Sequence, residues 1–246
     1  MDSSFETIEK GQPLEDLFQN GLGENVHPLN AIFPIFEVKN GNLWVSSGTG
    51  FFVLHNNPYF ATAKHNLTDN EGVVLPHLAA IQCVRNGSKF EYFPRRIRDI
   101  KPHPNADIAI GLLGESLIDR KPAPDTNEAF LITGRHPTKE ERIATFAIPK
   151  PIVNCKSSEV IDIEFAPRLM YGNIQAYLPT GRPSLGGECY QTSMGFEGGA
   201  SGGPVFGTDE RVFGINSRAF ELNSDHDGLP AISWVSSVRA IADLLE

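Results

Sequence analysis

Residues 198–204 read Gly-Gly-Ala-Ser-Gly-Gly-Pro, a hydroxyl at Ser201 set among glycines and followed directly by the apolar pair Val205-Phe206. A turn of this composition lets the backbone approach a ligand closely and aim its N–H groups inward, where they could stabilise an oxyanion. Alone it reads equally well as an ordinary glycine-rich turn. Two further segments bear on it. Ala61-Thr62-Ala63-Lys64-His65 ends a small-residue run on a histidine, and Asn105-Ala106-Asp107-Ile108-Ala109-Ile110 sets a lone acid at the entry to an apolar run. Each has a plain reading by itself, the histidine as a surface residue at a strand end and the aspartate as a turn former. In the order His65, Asp107, Ser201 they are the three residue types that nucleophilic catalysis combines.

Such a set works only if a scaffold brings the three segments together. The chain has 246 residues, enough for one large or two modest domains with a substantial core. Its 23 glycines and 18 prolines punctuate short apolar runs, which favours many strands over helices. Apolar runs at 31–38, 43–45, 50–54, 59–63 and 78–84 are followed by Asn86-Gly87, a hairpin signal because both residues accept positive φ, and then by Phe90-Glu91-Tyr92-Phe93. A run at 108–113 closes this half. Residues 121–127, with Pro122, Pro124 and Asp125, read as a linker. Further runs follow at 130–133, 143–148, 160–165, 174–178, 204–206, 212–215 and 232–235. Val238, Ile241, Leu244 and Leu245 then recur at helical spacing, so the chain is expected to end in a short amphipathic helix. The expected organisation is an N-terminal arm over 1–30, with a helical possibility at 14–18, a first barrel over 31–120 and a second over 121–246. Similar strand counts in the two halves suggest two barrels.

Four segments carry a family resemblance. Gly48-Thr49-Gly50-Phe51-Phe52-Val53, Thr62-Ala63-Lys64-His65, Asp107-Ile108-Ala109-Ile110 and Gly199-Ala200-Ser201-Gly202-Gly203-Pro204 occur in an order that resembles the trypsin-like, chymotrypsin-fold serine peptidases. Val212-Phe213-Gly214-Ile215-Asn216-Ser217 looks like the strand that borders the substrate in that family, and the helix after Trp234 also fits. The resemblance spans about residues 31–245, in segments. It implies an all-β fold of two six-stranded antiparallel β-barrels, with the active site in the cleft between them and a C-terminal helix. It implies serine endopeptidase activity through an acyl-enzyme, with Ser201 as nucleophile, His65 as general base and Asp107 orienting the histidine. Gly199 and Ser201 would supply the oxyanion-hole N–H groups. The other activity classes are a protease-fold module that binds a partner's extended peptide without cleaving it and an esterase using the same triad.

The sequence departs from secreted members of the family. Ala200 stands where many carry an acid that pairs with a released N-terminus, and Lys64 replaces the small residue usual before the histidine. A self-contained active fold, or one switched by a protein partner, is therefore expected. Similarity places Gly195, Phe196, Asn216, Ser217 and Arg218 around the substrate side chain. No carboxylate falls at the pocket base, which removes the physical basis for Lys or Arg preference. Phe196 would favour small residues, whereas Asn216 and Arg218 would welcome a polar or acidic one.

The formal charge of −9 argues against phosphate-backbone binding as the main activity. Arg95, Arg96, Arg98 and Lys101 form one basic cluster, read as a solvated loop. Cys83, Cys155 and Cys189 are odd in number and widely spaced, so they read as reduced or buried thiols. His27, His55, His77, His103, His136 and His226 lack metal-ligand spacing and read as surface or loop residues. No cofactor or metal is implied. With no basic, apolar leader and no run near the roughly 20 apolar residues of a membrane span, a cytoplasmic protein acting on protein or peptide substrates is expected.

Overall fold

A computed structural model describes residues 24, 27–40, 43–86, 89–118, 122–124, 127–155, 161–164, 166–182, 185–220 and 232–245. The expected N-terminal arm lies almost wholly outside them, as do the helical possibility at 14–18 and His226. Strands β1 (Ile32–Lys39), β2 (Leu43–Leu54), β3 (Asn57–Thr62), β4 (Leu78–Asn86), β5 (Lys89–Pro102) and β6 (Ala109–Ser116) close an antiparallel barrel in the order β1-β2-β3-β6-β5-β4. In the second half come β7 (Arg142–Ala147), β8 (Ile152–Cys155), β9 (Ile161–Glu164), β10 (Arg168–Leu178), β11 (Gly181–Arg182) and β12 (Leu185–Gly186). They are followed by β13 (Cys189–Thr192), β14 (Pro204–Phe206), β15 (Val212–Phe220) and β16 (Ile232–Ser237). A second closed barrel runs β10-β13-β16-β15-β14-β7, and β8-β9 and β11-β12 form two separate ribbons.

Period-2 alternation explains why the barrel strands read as continuous apolar runs. Phe33, Ile35, Phe52, Phe60 and Leu113 point into the first barrel. Their sequence neighbours Ile32, Phe51, Val53 and Ala61 face the other way, as does Ile110 of β6, and pack with Phe146, Ile148, Phe206 and Ile215 of the second barrel. Both faces are thus buried, one inside a barrel and one between barrels. Each fully buried phenylalanine contributes about 1.5–3 kcal/mol of transfer free energy. This shared core clamps the two barrels together, and that holds distant segments at one cleft.

The structure differs from the sequence reading at several points. The run at 130–133 forms bridges, among them Ile132 with Val212, and no strand, and the sixth barrel position is taken by Cys189–Thr192, which lacks a long apolar run. Residues 95–101 are part of β5, with Arg95 buried and donating to Gly114 O, Leu113 O and Gln82 Oε1, so that part of the basic cluster is structural. Asn86 pairs with Lys89, confirming the hairpin, although its two loop residues are outside the description. The C-terminus is a 3₁₀ turn, Val238–Ile241, running into a helical turn, Ala242–Leu245. Val238, Ile241 and Leu244 join the inter-barrel core while Leu245 is exposed. Cys83 and Cys189 are buried free thiols, and burial pushes them up to about 12 and about 11. No described helix is long and apolar enough to cross a membrane.

Candidate active site

His65 sits in a 3₁₀ turn, Lys64–Asn66, that ends β3. Its backbone N–H donates to Asp107 Oδ1 at 3.1 Å, and its ring Nδ1 lies 2.9 Å from Oδ2 and 3.1 Å from Oδ1 of the same carboxylate. Asp107 is held in turn by the Ser217 hydroxyl, which donates to Oδ2. Burial alone would raise the Asp107 carboxyl. Hydrogen bonds from the His65 ring and backbone and from Ser217, with the imidazolium charge, overturn this and hold it below its ordinary value. A carboxylate so placed selects the His65 tautomer with hydrogen on Nδ1 and leaves Nε2 as an acceptor.

The segment carrying Asp107 has its own support. His103 N–H donates to Ile108 O at 2.8 Å, closing the loop. His103 Nδ1 accepts from Asn105 N–H at 3.1 Å and Ala106 N–H at 2.8 Å, while Nε2 faces Asp243 Oδ2 of the terminal helical turn at 3.2 Å. Lys64, directly before His65, donates through Nζ to His103 O at 3.0 Å. His103 is therefore a loop residue but a buried one, and Lys64 ties the histidine segment to the aspartate segment.

Ser201 lies in the turn before β14. Gly199 and Gly202 have φ of 89° and 88°, a region that glycine occupies without strain. A Cβ on Gly202 would also overlap Thr49 O, Thr62 Oγ1 and Asn66 Nδ2 of the first barrel. Those groups hold the turn across the interface. Thr49 Oγ1 donates to Gly199 O at 2.8 Å, and Ser201 O accepts from Thr49 N–H at 2.8 Å and from Asn66 Nδ2 at 2.9 Å. Thr62 Oγ1 donates to Thr49 O and accepts from Asn66. From the second barrel, Lys150 N–H donates to Gly198 O at 3.2 Å and Gly202 N–H donates to Asn216 O at 2.7 Å. Because a trans peptide sets C=O and N–H in opposite directions, the Gly198 carbonyl on Lys150 turns the Gly199 N–H away from that side. Among the described residues neither Gly199 N–H nor Ser201 N–H has a protein acceptor. Ala200 is buried, and its N–H donates to Glu197 O at 3.0 Å.

His65, Ser201, Ser217, Phe196 and Arg218 line one cleft of about 390 Å³. The Ser201 hydroxyl donates to Ser217 O at 3.1 Å, and no Ser201–His65 hydrogen bond is formed. Gly195 is exposed and lies outside the cleft lining. Asn216 is buried and turns its amide inward, donating to Thr145 Oγ1 at 2.6 Å and Ala200 O at 3.2 Å, so it supports the Ser201 turn from behind. Sequence reading missed Arg182, Leu185 and Trp234, which also line the cleft, and the supporting roles of Thr49, Asn66 and His103. The Gly48-Thr49-Gly50 motif was the available signal for Thr49. Among the described residues no group of three His, Cys, Asp or Glu side chains is placed to hold a metal ion.

Comparison with known proteins agrees with the two-barrel fold. Residues 48–215 match the family model of the trypsin-like peptidase domain. Comparison with curated proteins finds none that matches. Among solved structures, Deg5 is similar at a TM-score of 0.58 and 15% identity, covering 87% of this chain and 86% of its own. The MamO protease domain from Magnetospirillum magneticum is similar at 0.56 and 16%, with 88% and 96% covered. The Rv3671c protease from M. tuberculosis, in its active form, is similar at 0.55 and 15%, with 88% and 79% covered. With the two closed barrels and the matched segment covering most of the chain, the protein belongs to the trypsin-like peptidase domain family.

Proposed function

We propose that the protein is a serine endopeptidase in which Ser201, His65 and Asp107 form the catalytic triad. The observation that carries this reading is the His65–Asp107 pair opening onto the same cleft as Ser201, beside two backbone N–H groups without protein acceptors. In the first step the Ser201 Oγ–H proton passes to His65 Nε2 as Oγ bonds to the substrate carbonyl carbon. The carbonyl π pair moves onto oxygen, where Gly199 and Ser201 N–H stabilise it. Collapse expels the amine, which takes the proton from His65, and leaves an acyl-Ser201 ester. A water then gives its proton to His65, attacks the ester and releases the acid, restoring the hydroxyl. Asp107 stays ionised throughout and stabilises the imidazolium.

The Ser201 hydroxyl must leave Ser217 O to reach His65. That resting bond also fits a second reading, a module that holds an extended peptide along β15 without cleaving it. Labelling with a fluorophosphonate decides between them. The expected result is labelling of the native protein, loss in Ser201→Ala, and peptide cleavage that follows the labelling. An unlabelled native protein that still binds peptide tightly would support the binding module, and equal labelling of Ser201→Ala would overturn the assignment.

A further inference from the structure

We infer that the cleft contains an anion-recognising subsite, formed by Arg182 and Arg218 about the Trp234 indole, that selects peptides with Asp or Glu among the three residues before the scissile bond. The inference rests on the peptidase reading of the cleft. The Arg182 guanidinium lies 4.0 Å from the Trp234 ring centroid. Trp234 on β16 is register-paired with Arg218 on β15, and directly paired residues of antiparallel strands project from the same face of the sheet. Arg218 and Trp234 therefore project from one face of the sheet, and the Arg182 guanidinium lies over the indole. Both line the cleft that holds Ser201.

Among the described residues that line the cleft, the arginines Arg182 and Arg218 outnumber the acids. The only acid lining the cleft among the described residues is Glu197, and its carboxylate is engaged by Arg168 at 2.5 Å and Lys150 at 3.2 Å, neither of which lines the cleft. Arg218 is exposed and has no ion-pair partner among the described residues. A guanidinium over an indole keeps its charge beside the ring, and its planar fork of N–H donors matches a carboxylate. Leu185 and Phe196 supply apolar wall for the stem of the side chain. The net charge of −9 does not cancel this attraction, because charges beyond about 8 Å are largely screened at physiological ionic strength. The ribbon β11-β12 that carries Arg182 and Leu185 also abuts the Asp107 loop, since a Cβ on Gly186 would overlap Asn105 O. The subsite is thus attached to the machinery it serves.

Internally quenched peptides carrying Glu, Gln or Lys in turn at each of the three positions before the scissile bond test the inference. At one position Glu is expected to exceed Gln at least tenfold in kcat/KM and Lys by more, with the preference shrinking as salt is raised to about 1 M. Arg218→Gln, a change at an exposed site, reduces the Glu-to-Gln ratio severalfold, the double change with Arg182→Gln brings it near one, and Arg218→Glu shifts the order towards Lys. The same peptides are titrated onto Ser201→Ala, with indole fluorescence reporting occupancy. Acid-selective binding without any cleavage by the native protein would sustain the subsite and overturn the peptidase reading. Equal rates and equal binding for Glu, Gln and Lys at all three positions would overturn the subsite and leave the peptidase reading intact.

Discussion

Replacing Thr49 by valine removes a single hydroxyl that makes two hydrogen bonds across the barrel interface while keeping the side chain's shape. Thr49 Oγ1 accepts from Ile148 N–H at 3.0 Å and donates to Gly199 O at 2.8 Å, and the residue is fully buried. Valine therefore strands the buried Ile148 N–H and leaves the part-buried Gly199 O without this donor. A fully buried unsatisfied group costs roughly 1–3 kcal/mol and a part-buried one less, so the variant should lose about 1–5 kcal/mol, a sizeable part of the roughly 5–15 kcal/mol that stabilises a typical domain. Serine at the same position keeps both bonds and loses one methyl, which costs about 1 kcal/mol. Urea unfolding of the native protein, Thr49→Val and Thr49→Ser measures the difference directly. The valine variant should also lose kcat by about tenfold or more with a smaller change in KM, because the freed Gly199 carbonyl loosens the turn that carries the proposed oxyanion donors. A valine variant within about 0.5 kcal/mol of the native protein, or a serine variant equally damaged, would refute the view that this hydroxyl anchors the nucleophile turn.

Two further substitutions follow from the same geometry. His103→Ala should cut kcat/KM by about tenfold or more by releasing the Asn105 and Ala106 N–H groups and with them the Asp107 loop, whereas Asn, whose Oδ1 can take the place of Nδ1, should restore most of it and Gln should not; rates for the three variants decide, and equal rescue by Gln would count against the positioning role. Burial alone would raise the Glu141 carboxyl, but the bidentate Arg135 and the N–H groups of Thr138 and Thr208 bring it down to about 2, so its contribution is complete above about pH 4.5 and is lost as the pH falls through 2. Glu141→Gln should remove a few kcal/mol near neutrality and flatten the acid limb of the stability profile, measured by urea unfolding between pH 2 and 7.

Much of the chemistry was legible in local sequence. Ser201 among glycines, His65 after a small-residue strand and Asp107 before an apolar one are each dictated by short-range needs, namely positive φ, close backbone approach and a strand entry. The mostly β class was legible for the same reason, since alternation and turn residues act over a few positions. Strand membership was less so. Cys189–Thr192 holds its place in the second barrel through β10 and β16 on either side, while the more apolar 130–133 forms bridges and no strand. A sequence does not display the neighbours that decide such a contest.

The supporting shell could be decided only by the tertiary structure. Thr49 meets Gly199 across 150 residues of sequence and Asn66 meets Ser201 across 135. His103, a polar residue in a proline-containing loop, becomes a buried clamp because Lys64 and Asp243 converge on it. Asn216 and Arg218 lie two residues apart on one strand, yet one is buried behind the Ser201 turn and the other lines the cleft. Arg182 enters that cleft from a separate ribbon. The sequence by itself determined which residues can carry a proton or an electron pair. Closure of the two barrels on a shared apolar core determined which of those groups meet, because contacts between distant segments depend on packing that no local pattern encodes.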